Sequence, residues 1–133
     1  MVNHRERCAS PIAVAVVAED AAVRNSLQFS LEVEGFAVQS YADCRALLNE
    51  PDVGNYTCLI IDQSMHGLKA LDVLAKLRDR NITTPAILTA LHPSSGLLKR
   101  ASDAGAVVVE KPLFGNALIE NIHAVITTRL KSD

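Results

Sequence analysis

The sequence predicts an α/β fold, a parallel five-stranded sheet covered by helices on both faces. Three observations carry that expectation. Short apolar runs alternate five times with stretches of helical period, and strand starts fall roughly 20 to 28 residues apart, the spacing of a βα unit. The central run, Cys58-Leu59-Ile60-Ile61, has no polar break, as suits a strand buried on both faces. Four of the five strands, all but the second, end at residues able to do chemistry: Glu19 and Asp20, Asp62, Thr89, and Lys111.

The elements follow in order. Residues 11–17 form a β-branched first strand, with Glu19 and Asp20 just beyond it. Val23, Leu27 and Leu31 recur every four residues and mark a helix, which Gly35 stops in the left-handed conformation that glycine adopts cheaply. Residues 36–40 are a weaker strand, and a short helix over 42–49 ends before Pro51. The third strand stops at Asp62. A charge is costly inside a strand buried on both faces, so Asp62 is expected just past the carboxyl end, in the crevice where open α/β sheets bind ligands. Leu68, Leu71, Leu74 and Leu77 mark a third helix; this ladder is core packing, too short for a zipper. Strand 86–89, a helix over 94–104 stopped by Gly105, and strand 107–109 follow. Leu118, Ile122, Val125, Ile126 and Leu130 stripe a terminal helix. Right-handed crossovers fold such a chain into a doubly wound sheet with five helices.

At 133 residues the chain fits one domain, read as 11–133 after a flexible polar tail at 1–10. With 13 basic and 15 acidic side chains the net charge is -2, which gives no electrostatic reason to expect nucleic acid or an anionic membrane as partner. No apolar run reaches the roughly 20 residues of a membrane helix. The tail lacks the apolar core of a signal peptide. Three scattered cysteines suit neither a disulfide framework nor a zinc site, so a reducing, cytoplasmic setting is expected, with Cys58 a core thiol and Cys8 in the tail.

In a parallel sheet all carboxyl ends share one edge, so the strand-end residues can converge. Carboxylates there can hold a hard cation such as Mg²⁺, which prefers oxygen ligands and bridges phosphates. An Asp beside that metal can attack a phosphoryl group and carry it as an acyl phosphate. A hydroxyl and an ammonium can hold the phosphoryl oxygens.

Glu19-Asp20 followed by Val23-Arg24, then Asp62-Gln63-Ser64-Met65, Thr89, and Ala104-Gly105-Ala106 leading to Lys111-Pro112, together resemble the receiver domains of two-component response regulators, the CheY-like fold. The resemblance covers residues 12–130 and implies the flavodoxin/CheY-like strand order 2-1-3-4-5. It implies that Asp62 is the phosphoacceptor, with a histidine kinase as donor, and that Thr89 and Lys111 contact the phosphoryl group. Glu19, Asp62 and the Ser64 backbone carbonyl would hold Mg²⁺, with Asp20 a further candidate. The Lys111–Pro112 bond would be cis. By the same resemblance the protein is a switch, not a metabolic enzyme, and catalyses only its own phosphotransfer and dephosphorylation. As a stand-alone receiver it would signal by binding a downstream protein, or a second copy of itself, through the face made by the fourth helix, fifth strand and last helix. Lys99, Arg100, Glu110 and Glu120 would form mixed-charge pairs there.

Four positions depart from the family pattern. Ala18 stands where the first of two adjacent acids is usual, which predicts weakened Mg²⁺ binding. Asp20 falls one step late, where a cap of the first helix is the favoured role. His66 replaces a proline, and Val108 replaces the switch aromatic. These departures motivate an alternative, a phosphorylation-deficient pseudo-receiver acting as a protein-binding module. A flavodoxin-like cofactor carrier is disfavoured, because Glu19 and Asp20 would repel a phosphate in the first loop.

Overall fold

The computed structural model describes residues 12–64, 67, 69–111 and 117–132. In chain order the elements are β1 (Ala13–Val17), α1 (Ala21–Val33), β2 (Ala37–Tyr41), α2 (Cys44–Leu48), a 3-10 turn (Val53–Asn55), β3 (Cys58–Asp62), α3 (Ala70–Asp79), β4 (Ala86–Ala90), α4 (Ser95–Asp103), β5 (Ala106–Glu110) and α5 (Ala117–Ser132). The strands form one sheet in the order β2-β1-β3-β4-β5, every pair parallel. The order reverses between β1 and β3, and that reversal opens a crevice at the carboxyl edge.

Strand alternation sorts the apolar side chains into two cores. Ala15, Val17, Leu59, Ile61 and Leu88 point to the side covered by α2, α3 and α4, where they meet Leu47, Leu74, Leu77 and Leu97. Val14, Val16, Cys58, Ile60 and Ile87 point to the other side, against Leu31 of α1 and Leu118 and Ile122 of α5. A strand covered on both faces has no polar position to spare, which is why β3 and β4 are buried at every residue.

Local chemistry sets the helix ends. Asp20, Asp43 and Ser94 cap α1, α2 and α4, each accepting a backbone N–H three residues on. Gly35 and Gly105 follow α1 and α4 at φ +100° and +77°, where a side chain would be strained. Boundaries of most elements differ from the sequence expectation by one or two residues. β1 begins at Ala13, and Asp62 is the last residue of β3, paired with Thr89, not a residue beyond the strand. The 1–10 tail, Cys8, His66, Leu68 and the Lys111–Pro112 bond lie outside the described residues.

Candidate functional site

Parallel register brings Asp62 and Thr89 side by side. They are Cα partners at the ends of β3 and β4, on the face shared by Cys58, Ile60 and Ile87. Asp62 is 5% exposed and Thr89 1%. Lys111 follows β5, where its backbone N–H donates to the Ala90 carbonyl at 2.8 Å and continues the β4–β5 ladder by one step. From there its Nζ reaches Asp62 Oδ1 at 2.7 Å. The Ser64 amide donates to the same oxygen at 3.1 Å. An ammonium and an amide on one carboxylate oxygen explain how the charge sits inside the strand, since a buried charge is tolerated when paired and hydrogen-bonded. Gln63 N–H donates to the Thr89 carbonyl at 2.8 Å, which holds the loop after Asp62 against β4.

The acidic side of the site comes from the turn after β1. Ala18 is fully buried, its N–H on the Tyr41 carbonyl at 3.2 Å, and Glu19 is half-buried beside it. Arg24, one turn into α1, donates from Nη1 to the Ala18 and Glu19 carbonyls at 2.8 and 3.2 Å and so fixes that turn. Asp20 is exposed, and its Oδ1 accepts from Val23 N at 3.0 Å, so it serves as the α1 cap. Burial chiefly, then the charges of Asp43 and Glu19, push the Cys44 thiol up to about 11, and burial alone pushes Cys58 up to about 12. Both sulfurs are therefore neutral packing groups near pH 7.

Among the described residues no three His, Cys, Asp or Glu side chains gather to hold a metal ion. Mg²⁺ does not need three; it commonly takes one or two carboxylates and keeps several waters. Glu19 follows β1, and Asp62 and Ser64 stand at the end of β3, the neighbouring strand, on the same sheet edge. A groove of about 400 Å³, walled by small α1 side chains including Ala22, Ser26 and Ser30, opens onto Thr89 and Lys111.

The family model of the response regulator receiver domain matches residues 14–123. The chain belongs to the response regulator receiver domain family. Curated relatives of this receiver include the transcriptional regulatory protein FixJ of Bradyrhizobium diazoefficiens, 30% identical over 112 residues, which are 84% of this chain and 55% of that protein. FixJ of Rhizobium meliloti is 35% identical over 111 residues, 82% of this chain and 54% of that protein. The receiver spans about half the length of these relatives. Among solved structures, the crystal structure of FixJ-N superimposes with a TM-score of 0.79 at 32% identity, covering 89% of this chain and 95% of that one. The expected family and the expected strand order are both as found.

Within the receiver, Asp62, Thr89 and Lys111 come together, while Asp20 is held at the start of α1. Val108 is half-buried against the α2–α4 core. His92 is exposed at φ 46°, its Nδ1 4.0 Å from Glu110 Oε2. Lys99 pairs with Asp103 along α4. The sequence reading gave no role to Arg24, although its distance of five and six residues from Glu19 and Ala18 is the reach of one helical turn plus a cap.

Proposed function

We propose that Asp62 accepts a phosphoryl group from a phosphohistidine of a histidine kinase. The observation that carries this reading is the 2.7 Å contact between Lys111 Nζ and Asp62 Oδ1, with Thr89 in register on the next strand. With Oδ1 engaged by Lys111 and the Ser64 amide, Oδ2 forms the new bond to phosphorus. The P–N bond breaks, and the donor imidazole leaves with its electron pair and takes a proton from solvent. Lys111 and the Thr89 hydroxyl then hold phosphoryl oxygens, the electrostatic stabilisation on which such transfer relies. Glu19, Asp62 and the Ser64 carbonyl would hold Mg²⁺, which would supply further neutralisation of phosphoryl oxygen charge. The groove beside Thr89 and Lys111, with small α1 side chains in its wall, is the surface on which the donor docks in this proposal.

The protein acts as a cytoplasmic switch that turns over only its own acyl phosphate. Its output runs through α4, β5 and α5, where Leu98 and Val107 are 47% and 38% exposed, to a downstream protein or a second copy. Incubation of wild type and Asp62→Asn with a small phosphodonor and Mg²⁺, read by intact mass, tests the assignment. One added phosphoryl group on wild type and none on the variant is expected; incorporation that survives the substitution removes Asp62 as acceptor.

A pseudo-receiver is the second reading, favoured by the fully buried Ala18 and by Val108 in place of an aromatic. It predicts no phosphoryl mass on wild type under the same conditions, together with retained partner binding.

A further inference from the structure

A cavity of about 390 Å³ lies at the β2 edge of the sheet, between that strand and the 3-10 turn before β3. Its polar lining is Gln39, Tyr41, Glu50, Asp52, Asn55 and Tyr56. The two tyrosine rings stand edge to face with centroids 6.4 Å apart at 88°, and their hydroxyls are 2.6 Å apart. Burial chiefly, then the Tyr56 contact and the nearby Glu50 charge, push the Tyr41 phenol up. Either hydroxyl can donate to the other. Glu50 Oε2 takes the Asp52 N–H at 3.0 Å. The two rings are thereby tied to each other, and the Glu50 carboxylate to the Asp52 backbone.

The lining holds two carboxylates, two amides and two aromatic rings, and no basic side chain among the described residues. Arg80, which reaches this side of the fold, donates to the Leu48 carbonyl at 2.9 Å and lies outside the lining. Aromatic faces and carboxylates attract the same class of ligand, a cation. The volume is at the small end of the range for organic ligands.

We propose that this cavity binds a guanidinium or alkylammonium group between the Tyr41–Tyr56 ring pair and the Glu50 and Asp52 carboxylates. The group can belong to a free small cation or to a basic side chain of a partner protein.

The chain has no tryptophan, and its two tyrosines both line the cavity, so intrinsic fluorescence reports on this site. The test titrates the full chain with N-acetylarginine amide and, as neutral control, N-acetylcitrulline amide. A saturable change with the first and none with the second is expected, with a dissociation constant on the order of 1 mM. Asp52→Asn, which keeps the tyrosine pair and the backbone bond to Glu50, is expected to weaken binding about tenfold. Glu50→Gln is the second variant. A response shared by the citrulline control, unaffected by both variants, or unsaturated at about 100 mM overturns the proposal. A short neutral peptide with one arginine separates the sources. Binding more than about tenfold tighter than the free amide assigns the cation to a protein side chain, and equal binding to a small molecule. Asp62→Asn is expected to bind as wild type does, so this result stands apart from the phosphorylation assay.

Discussion

Asp62 is charged and nearly buried at the end of a strand, and Lys111 and the Ser64 amide make that tolerable. Ala18 is one of the four positions at which this chain departs from the pattern expected for the family. Restoring an acid with Ala18→Asp is expected to tighten Mg²⁺ binding roughly tenfold, because affinity follows ligand charge. The position is fully buried, so the same change costs about 1–3 kcal/mol of stability without metal, readable in urea unfolding with and without Mg²⁺. The thiols carry a separate expectation. Burial raises Cys58 from 9.0 to about 12, so the fold keeps it neutral while the unfolded chain ionises it. Between those values the unfolded state binds fewer protons, and stability falls as pH rises from about 9 towards 12. Stability is unaffected by this group below about pH 8, under its unfolded value. Unfolding curves at pH 8 and about pH 10.5 are expected to show a smaller alkaline loss for Cys58→Ala than for wild type.

At the scale of elements, the caps set where chemistry can occur. Asp20 ends the turn after β1 by capping α1, and Arg24 holds that turn's carbonyls from the helix side. Asp20→Ala is expected to lower stability by about 1 kcal/mol, whereas Asp20→Asn, which can still cap, is near neutral. Both variants are expected to bind Mg²⁺ as wild type does; a large loss in Asp20→Asn would restore Asp20 as a ligand. At the far end of the domain, Arg78 of α3 donates to the Ala104 and Ile82 carbonyls at 3.0 and 2.9 Å and links two connections. A Cβ on Gly105 would sit 3.2 Å from Arg78 Nη2 at φ +77°. Gly105→Ala is therefore expected to cost about 1–2 kcal/mol, measured by thermal unfolding.

For the whole molecule, two cores lie on either side of one sheet, and the proposed output face is made by α4, β5 and α5. Leu98 on α4 and Val107 on β5 are large apolar side chains left in water there. Under the proposed function, Leu98→Glu is expected to leave phosphorylation by a small donor unchanged and to weaken phosphorylation-dependent self-association or target binding about tenfold or more, by analytical ultracentrifugation or titration.

The sequence by itself determined element type and order, because apolar period, caps and glycine stops are local signals. It also delivered Asp62, Thr89 and Lys111 to one edge, since parallel strands leave no other place for their carboxyl ends. Tertiary structure decided the rest. The inclusion of Asp62 in β3 depends on Lys111, 49 residues away in sequence, arriving within 2.7 Å to compensate its charge. Tyr41 and Tyr56 lie 15 residues apart on separate elements, and no period in the letters links them. Such pairings follow from register and loop path, which are set by packing between distant segments and leave no mark on either segment alone.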